Sequence, residues 1–136
     1  MTDTTATATE FGRALLSSDA FTVTWSGVDP APHDTLLLSL ILKKQDRSGA
    51  WLQFGIKWVD GELAAVFAFD HAAAKQRNAE DPNAAVSLRD GRAVATYPRE
   101  WLGGFLTEPE AHTTAIVNVD GQDVREWHGD VDLADE

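Results

Sequence analysis

The sequence predicts a mostly β protein, an antiparallel β-sandwich or small barrel of about seven strands with a short N-terminal helix. Three observations lead there. Apolar and polar residues alternate over several short runs, three Asp-Gly pairs stand between such runs, and the intervals leave little room for long helices.

At 136 residues, 43% hydrophobic and 24% charged, the chain has the size and apolar content of one domain. That domain is read as residues 9–127, between a Thr-rich flexible N-terminus (1–8) and an acidic flexible tail (128–136). From Thr9 to Ser18, Phe11, Ala14 and Leu15 fall at helical spacing and predict the N-terminal helix. The period then changes to two. Phe21, Val23 and Trp25 alternate with threonines as in a half-buried strand, and Pro30 and Pro32 mark 27–34 as a loop. Residues 35–44 carry Leu36, Leu38, Leu40 and Leu42 on one side and Leu37 and Ile41 on the other, as a central strand requires. Gln45 to Gly49 is a polar loop.

Asp60-Gly61 is the strongest local signal, because a two-residue type I′ turn needs φ > 0 at both central positions. An unbroken register from that turn sets Trp58 opposite Leu63, Ile56 opposite Ala65, Phe54 opposite Phe67 and Leu52 opposite Phe69. One face is then wholly apolar. The other carries Trp51, Gln53, Gly55, Lys57, Ala64, Val66, Ala68 and Asp70. The Ala-rich stretch 71–80 predicts a short helix capped by Asp70 and ended by Asp81-Pro82. Asp90-Gly91 predicts a second hairpin with Val86, Leu88, Ala93, Ala95 and Tyr97 on one face. Pro98 ends that strand, and residues 99–105 form a helical turn or compact loop. Asp120-Gly121 predicts a third hairpin, with Ala115, Val117, Val119 and Val124 on a shared side.

Residues 50–124 carry a recognisable order. Phe67-Ala68-Phe69-Asp70 ends one hairpin, Tyr97-Pro98-Arg99-Glu100-Trp101-Leu102-Gly103 follows the next, and Asn118-Val119-Asp120-Gly121 closes the last strand. This resembles the closing half of the β-sandwich modules of the family-9 carbohydrate-binding and DOMON type. The resemblance implies a non-catalytic sandwich that binds a sugar or haem-like ligand on one face. Haem ligation through Met and His does not carry over, since Met1 is the only methionine.

A formal net charge of −11 repels nucleic-acid phosphates and anionic membrane surfaces, so neither is an expected partner. The absence of cysteine excludes disulfides, thiolate catalysis and cysteine-ligated metals. The first ten residues lack the basic and apolar regions of a signal peptide, and the densest apolar run, 36–42, falls well short of the roughly 18 residues that span a bilayer. A soluble cytoplasmic protein without cofactor or metal is the expectation.

His33, His71, His112 and His128 show no metal-ligand spacing and read as surface or loop residues, with His112 beside Glu108 and Glu110 in a conceivable metal loop. The Asp-Gly pairs are explained by turns, without calcium. Of the tryptophans, Trp25 and Trp58 belong to the core by register. Trp51 sits on the mixed face, where its ring either stacks on a flat ligand or packs beneath a neighbouring segment. The leading reading is a non-enzymatic module that binds a small molecule or carbohydrate, or forms a homo-oligomer, with Trp51, Gln53, Lys57, Asp70 and Trp101 as ligand-binding candidates. The second is a small cofactor-independent cyclase, isomerase or hydrolase with Gln53, Lys57, Asp70 and Tyr97 lining a barrel pocket. The third is a structural or assembly subunit.

Overall fold

The computed structural model describes residues 9–16, 20–31, 33–43, 51–71, 74–106, 110–132 and 134–135. The expected flexible N-terminus and the loop Gln45 to Gly49 lie outside the described residues. The described strands are β1 (Glu10–Leu16), β2 (Ala20–Ser26), β3 (Thr35–Lys43), β4 (Trp51–Val59), β5 (Glu62–Asp70), β6 (Lys75–Asn78), β7 (Val86–Arg89), β8 (Arg92–Pro98), β9 (Glu110–Val119), β10 (Gln122–Asp132) and β11 (Ala134–Asp135). A one-turn helix α1 (Pro82–Ala85) precedes β7, and a 3-10 helix, Arg99–Leu106, follows β8.

Five strands in the order β11-β1-β2-β8-β7 form one sheet, and six in the order β10-β9-β3-β4-β5-β6 form the other. Each described pair is antiparallel except β1 with β11. The architecture is a β-sandwich of two open sheets, with more strands than expected because β1 and β6 stand where helices were predicted at 9–18 and 71–80 and the described residues of the predicted tail are paired.

Each correction has a local cause. In β1, position 11 pairs with Trp25, Arg13 with Thr24 and Ala14 with Val23, so Gly12 is an extra, bulged residue. The bulge places positions three apart on one side of the sheet, which is the spacing that imitates a helix. A side chain at Gly12 would meet the Thr24 carbonyl oxygen at 2.8 Å, so the bulge is confined to glycine. In 71–80, Ala74 adopts φ 53° and reverses the chain, and Lys75 to Asn78 pair with Asp70 to Phe67. Alanine's helix preference, a few tenths of a kcal/mol per residue, is outweighed by a ladder on the β5 edge. Asp81-Pro82 starts a helix rather than ending one: Asp81 Oδ1 accepts from the Asn83 amide at 3.2 Å, and Pro82 occupies the first helical turn. Residues 128–132 continue β10 against β9, and β11 then crosses to the β1 edge of the opposite sheet.

The three Asp-Gly turns form as expected, with positive φ at Asp60, Gly61, Asp90, Gly91, Asp120 and Gly121. The second hairpin keeps its expected pairing, Val86 opposite Ala95 and Leu88 opposite Ala93. In the third, Val124 is the extra residue of a bulge and is 49% exposed, so it leaves the side shared by buried Ala115 and Val117. The first hairpin holds its register only as far as Trp58 opposite Leu63. Ala64 is then unpaired, and Lys57 faces Ala65, Ile56 faces Val66, Gly55 faces Phe67 and Phe54 faces Ala68. Phe54 and Phe67 therefore lie on opposite sides, as do Leu52 and Phe69. The unbroken register is corrected, and with it the membership of both faces of β5.

Between the sheets, Phe21, Val23 and Trp25 from β2 and Ala93, Ala95 and Tyr97 from β8 meet Leu36, Leu38, Leu40 and Leu42 from β3, Leu52, Phe54, Ile56 and Trp58 from β4, and Val66 and Ala68 from β5. Trp25 and Trp58 are core residues, and β3 is central, between β4 and β9. Phe21, Phe54 and Tyr97 form an aromatic cluster with centroids 4.8 to 6.3 Å apart. Tyr97 is fully enclosed, and its hydroxyl donates to the Gly55 carbonyl across the sandwich at 3.1 Å. Burial pushes its phenol far above the ordinary range, so it stays a neutral donor. Replacing Tyr97 by Phe removes this bond while keeping the ring. The expected loss is about 1–2 kcal/mol in urea unfolding with an unchanged fold; an unaltered midpoint would show that the tie carries no stability.

Candidate functional site

The outer face of the six-stranded sheet carries a half-buried set of aromatic and amide side chains. Alternation along β4 sends Leu52, Phe54, Ile56 and Trp58 inward and Trp51, Gln53, Gly55 and Lys57 outward. After the Ala64 bulge, β5 sends Val66 and Ala68 inward and Ala65, Phe67 and Phe69 outward. From β3, Leu37, Ser39, Ile41 and Lys43 join the same face, in rows with Lys57, Gly55, Gln53 and Trp51. The large outward residues are half-buried, unlike the sealed residues on the inner face.

One end of this face is organised around His71. Its backbone amide donates to the Trp51 carbonyl at 3.1 Å, which fixes the residue where β5 ends. The imidazole stacks on Trp51 with centroids 3.2 Å apart and planes 8° apart, and Phe69 meets it edge-on at 4.4 Å. Gln53 Nε2 donates to Ser39 Oγ at 3.1 Å, so Gln53 Oε1 is the acceptor facing His71 Nε2 at 3.4 Å. This arrangement assigns the proton of neutral His71 to Nε2. Lys43 Nζ lies 6.0 Å from the Trp51 centroid, within cation–π range. On β6, Gln76 and Asn78 share the outer face with Phe69 and Phe67, and Gln76 Nε2 donates to Asn78 Oδ1 at 2.9 Å. The result is a platform of stacked rings bordered by neutral amides. It can offer an apolar ring face and hydrogen bonds together.

Further along, the Phe67 ring lies over Gly55, and a methyl group there would collide with it. The glycine lets an aromatic ring close down on a bare stretch of backbone.

The sequence candidates separate in space. Trp51 and Gln53 belong to the platform. Lys57 shares their face but stands six residues from Trp51 along one strand, about 20 Å away at the strand rise. Asp70 pairs with Leu52 and Lys75, which places it on the inner side, at the end of the sheet. Trp101 lies on the 3-10 helix with its ring 6.0 Å from that of Tyr97, beside a separate cleft of about 450 Å³. The four residues of the enzymatic reading are likewise apart, Gln53 and Lys57 facing out and Tyr97 in. His71, Phe69, Phe67 and Ser39 were missed. For the two phenylalanines the missing signal is the bulge, and for His71 it is the strand that replaces the expected helix. The Trp51 ring does pack against the segment that begins at residue 71. The side chains of His112, His128, Glu108 and Glu110 lie outside the described residues. Among the described residues no group of three His, Asp or Glu could hold a metal, and no helix is long and apolar enough to cross a membrane. No protein-family model matches the chain, and no curated protein matches it in sequence.

Partial burial against Trp51 and Phe69 lowers the His71 pKa from its ordinary 6.5, and the Asp70 carboxylate offsets this by a smaller amount. The unfolded chain thus takes up the proton first as pH falls below 6.5. Stability from neutral His71 is complete above that value and declines until the folded state also protonates. In an NMR titration the His71 midpoint should fall below 6.5, and Asp70→Asn should lower it further. A midpoint at or above 6.5 would show that the ring is not enclosed as described.

Proposed function

We propose that the chain is a non-catalytic β-sandwich module that binds a small carbohydrate-like ligand on the outer face of its six-stranded sheet, at the Trp51 end. The observation that carries this reading is the preorganised set Trp51, His71, Phe69 and Gln53, held by mutual contacts yet only half-buried. A sugar ring has an apolar C–H face and a rim of hydroxyls, and an aromatic plane flanked by amides complements both. Gln53, Gln76 and Asn78 supply neutral donors and acceptors, which bind hydroxyls without the desolvation cost of a charge. Because the rings already support one another, little side-chain entropy is lost on binding. The resemblance of residues 50–124 to the carbohydrate-binding and DOMON-type modules points in the same direction.

Calorimetric titration with soluble oligosaccharides such as cellobiose, xylobiose and maltose tests the proposal. Binding of at least one is expected, and Trp51→Ala should weaken it by about tenfold or more, equivalent to about 1.4 kcal/mol. Lys57→Ala, far along the strand, should leave it unchanged. If no sugar binds and sedimentation instead reveals a dimer dissolved by Phe69→Glu, the face is a self-association surface and the ligand reading fails.

A further inference from the structure

We infer that the cleft between α1 and the 3-10 helix is a second binding site, selective for a small organic ammonium ion with an apolar body. It shares only Asn78 with the surroundings of the Trp51 platform and lies between β5 and β6 of one sheet, the end of β8 of the other, α1 and the 3-10 helix. The cleft is about 450 Å³, within the usual range for small-molecule sites. Its wall is mainly apolar, with Trp101, Pro98, Ala84 and Ala85 contributing ring and methyl surface and Asn78 and Thr96 the polar part. Trp101 is half-buried, so part of its indole remains open to a guest. Tyr97 is sealed behind this wall, its hydroxyl committed to the Gly55 carbonyl, and backs the Trp101 ring at 6.0 Å.

The mouth has the opposite character. Glu80 and Asp81 both line the cleft and are exposed, and none of the described residues that line it is cationic. Asp81 is held in place by its capping bond to Asn83, so at least one carboxylate has a defined position. A formal net charge of −11 adds a long-range field that favours cations over anions. An apolar body can thus rest against the indole while an ammonium group stays at the solvated rim, close to two carboxylates and the ring face. An anion of the same shape meets repulsion there. A neutral analogue keeps only the apolar contact.

The test uses the full chain and three probes of one shape: 2-phenylethylammonium, 2-phenylethanol and phenylacetate. Binding is followed by the Trp101 indole N–H resonance. The ammonium ion should bind about fivefold more tightly than the alcohol, the gain of a roughly 1 kcal/mol cation–π and charge contribution, and the carboxylate should bind most weakly. In a Glu80→Gln, Asp81→Asn variant the preference for the ammonium ion over the alcohol should shrink towards unity, with α1 intact because Asn also caps helices. Trp101→Ala should abolish binding of all three. Equal affinity for the three probes, or shifts at Trp51 and His71 in place of Trp101, would overturn the inference.

Discussion

One unpaired residue, Ala64, determines what each face of the six-stranded sheet can do. β4 alternates without interruption, whereas β5 uses one residue more than β4 over the stretch in which they pair and changes parity after Leu63. The residues that enter the core from the rest of β5 are consequently small, Val66 and Ala68, and the large ones, Phe67 and Phe69, face out. The volume left inside is occupied from the opposite sheet by Tyr97 and Phe21, which close around Phe54. The same parity change gives the outer face its rings. Phe67 covers Gly55, and Phe69 supports the His71–Trp51 stack.

Core and surface are coupled through β4. Tyr97 anchors the carbonyl of Gly55 from inside the sandwich, and Phe67 presses on the same residue from outside. Residue 55 is thus clamped between a buried hydrogen bond and an aromatic cover. Two positions earlier on the strand, Gln53 is tied to Ser39, one of the few buried polar groups among the described residues. These restraints limit the motion of the strand that presents Trp51, so ligand recognition on this face would draw on a rigid support rather than a mobile loop. The surface ion pair Arg125–Glu10 at 3.3 Å, with both side chains largely exposed, contributes little by comparison.

The turns and the uninterrupted strands were legible in the sequence because their signals are local. Asp-Gly specifies its own backbone, and the alternations in β2, β3, β4 and β8 state directly which residues are buried. Bulges are not legible in this way. An extra residue at Ala64 or Val124 has no composition of its own, and a lone glycine such as Gly12 is common outside bulges, yet each reverses the inward and outward assignment of every residue beyond it in the strand. At Gly12 this turned a strand into an apparent helix, and at Ala64 it moved two phenylalanines from the core to the surface. The strand at 75–78 was hidden for a different reason: its side chains are polar and exposed, and only the neighbouring edge of β5 gives them a place to pair. Trp51 and Gln53 were found because β4 is regular. His71 was not, because its position depends on where β5 stops.

The parity change after Leu63 is the claim on which the platform rests, and cross-strand proton contacts in the NMR spectrum report it directly. Backbone contacts pairing Phe54 with Ala68 and Ile56 with Val66 would place Phe67 and Phe69 on the outer face, as described. Contacts pairing Phe54 with Phe67 and Ile56 with Ala65 would mean an unbroken hairpin, a core containing both phenylalanines, and no aromatic platform.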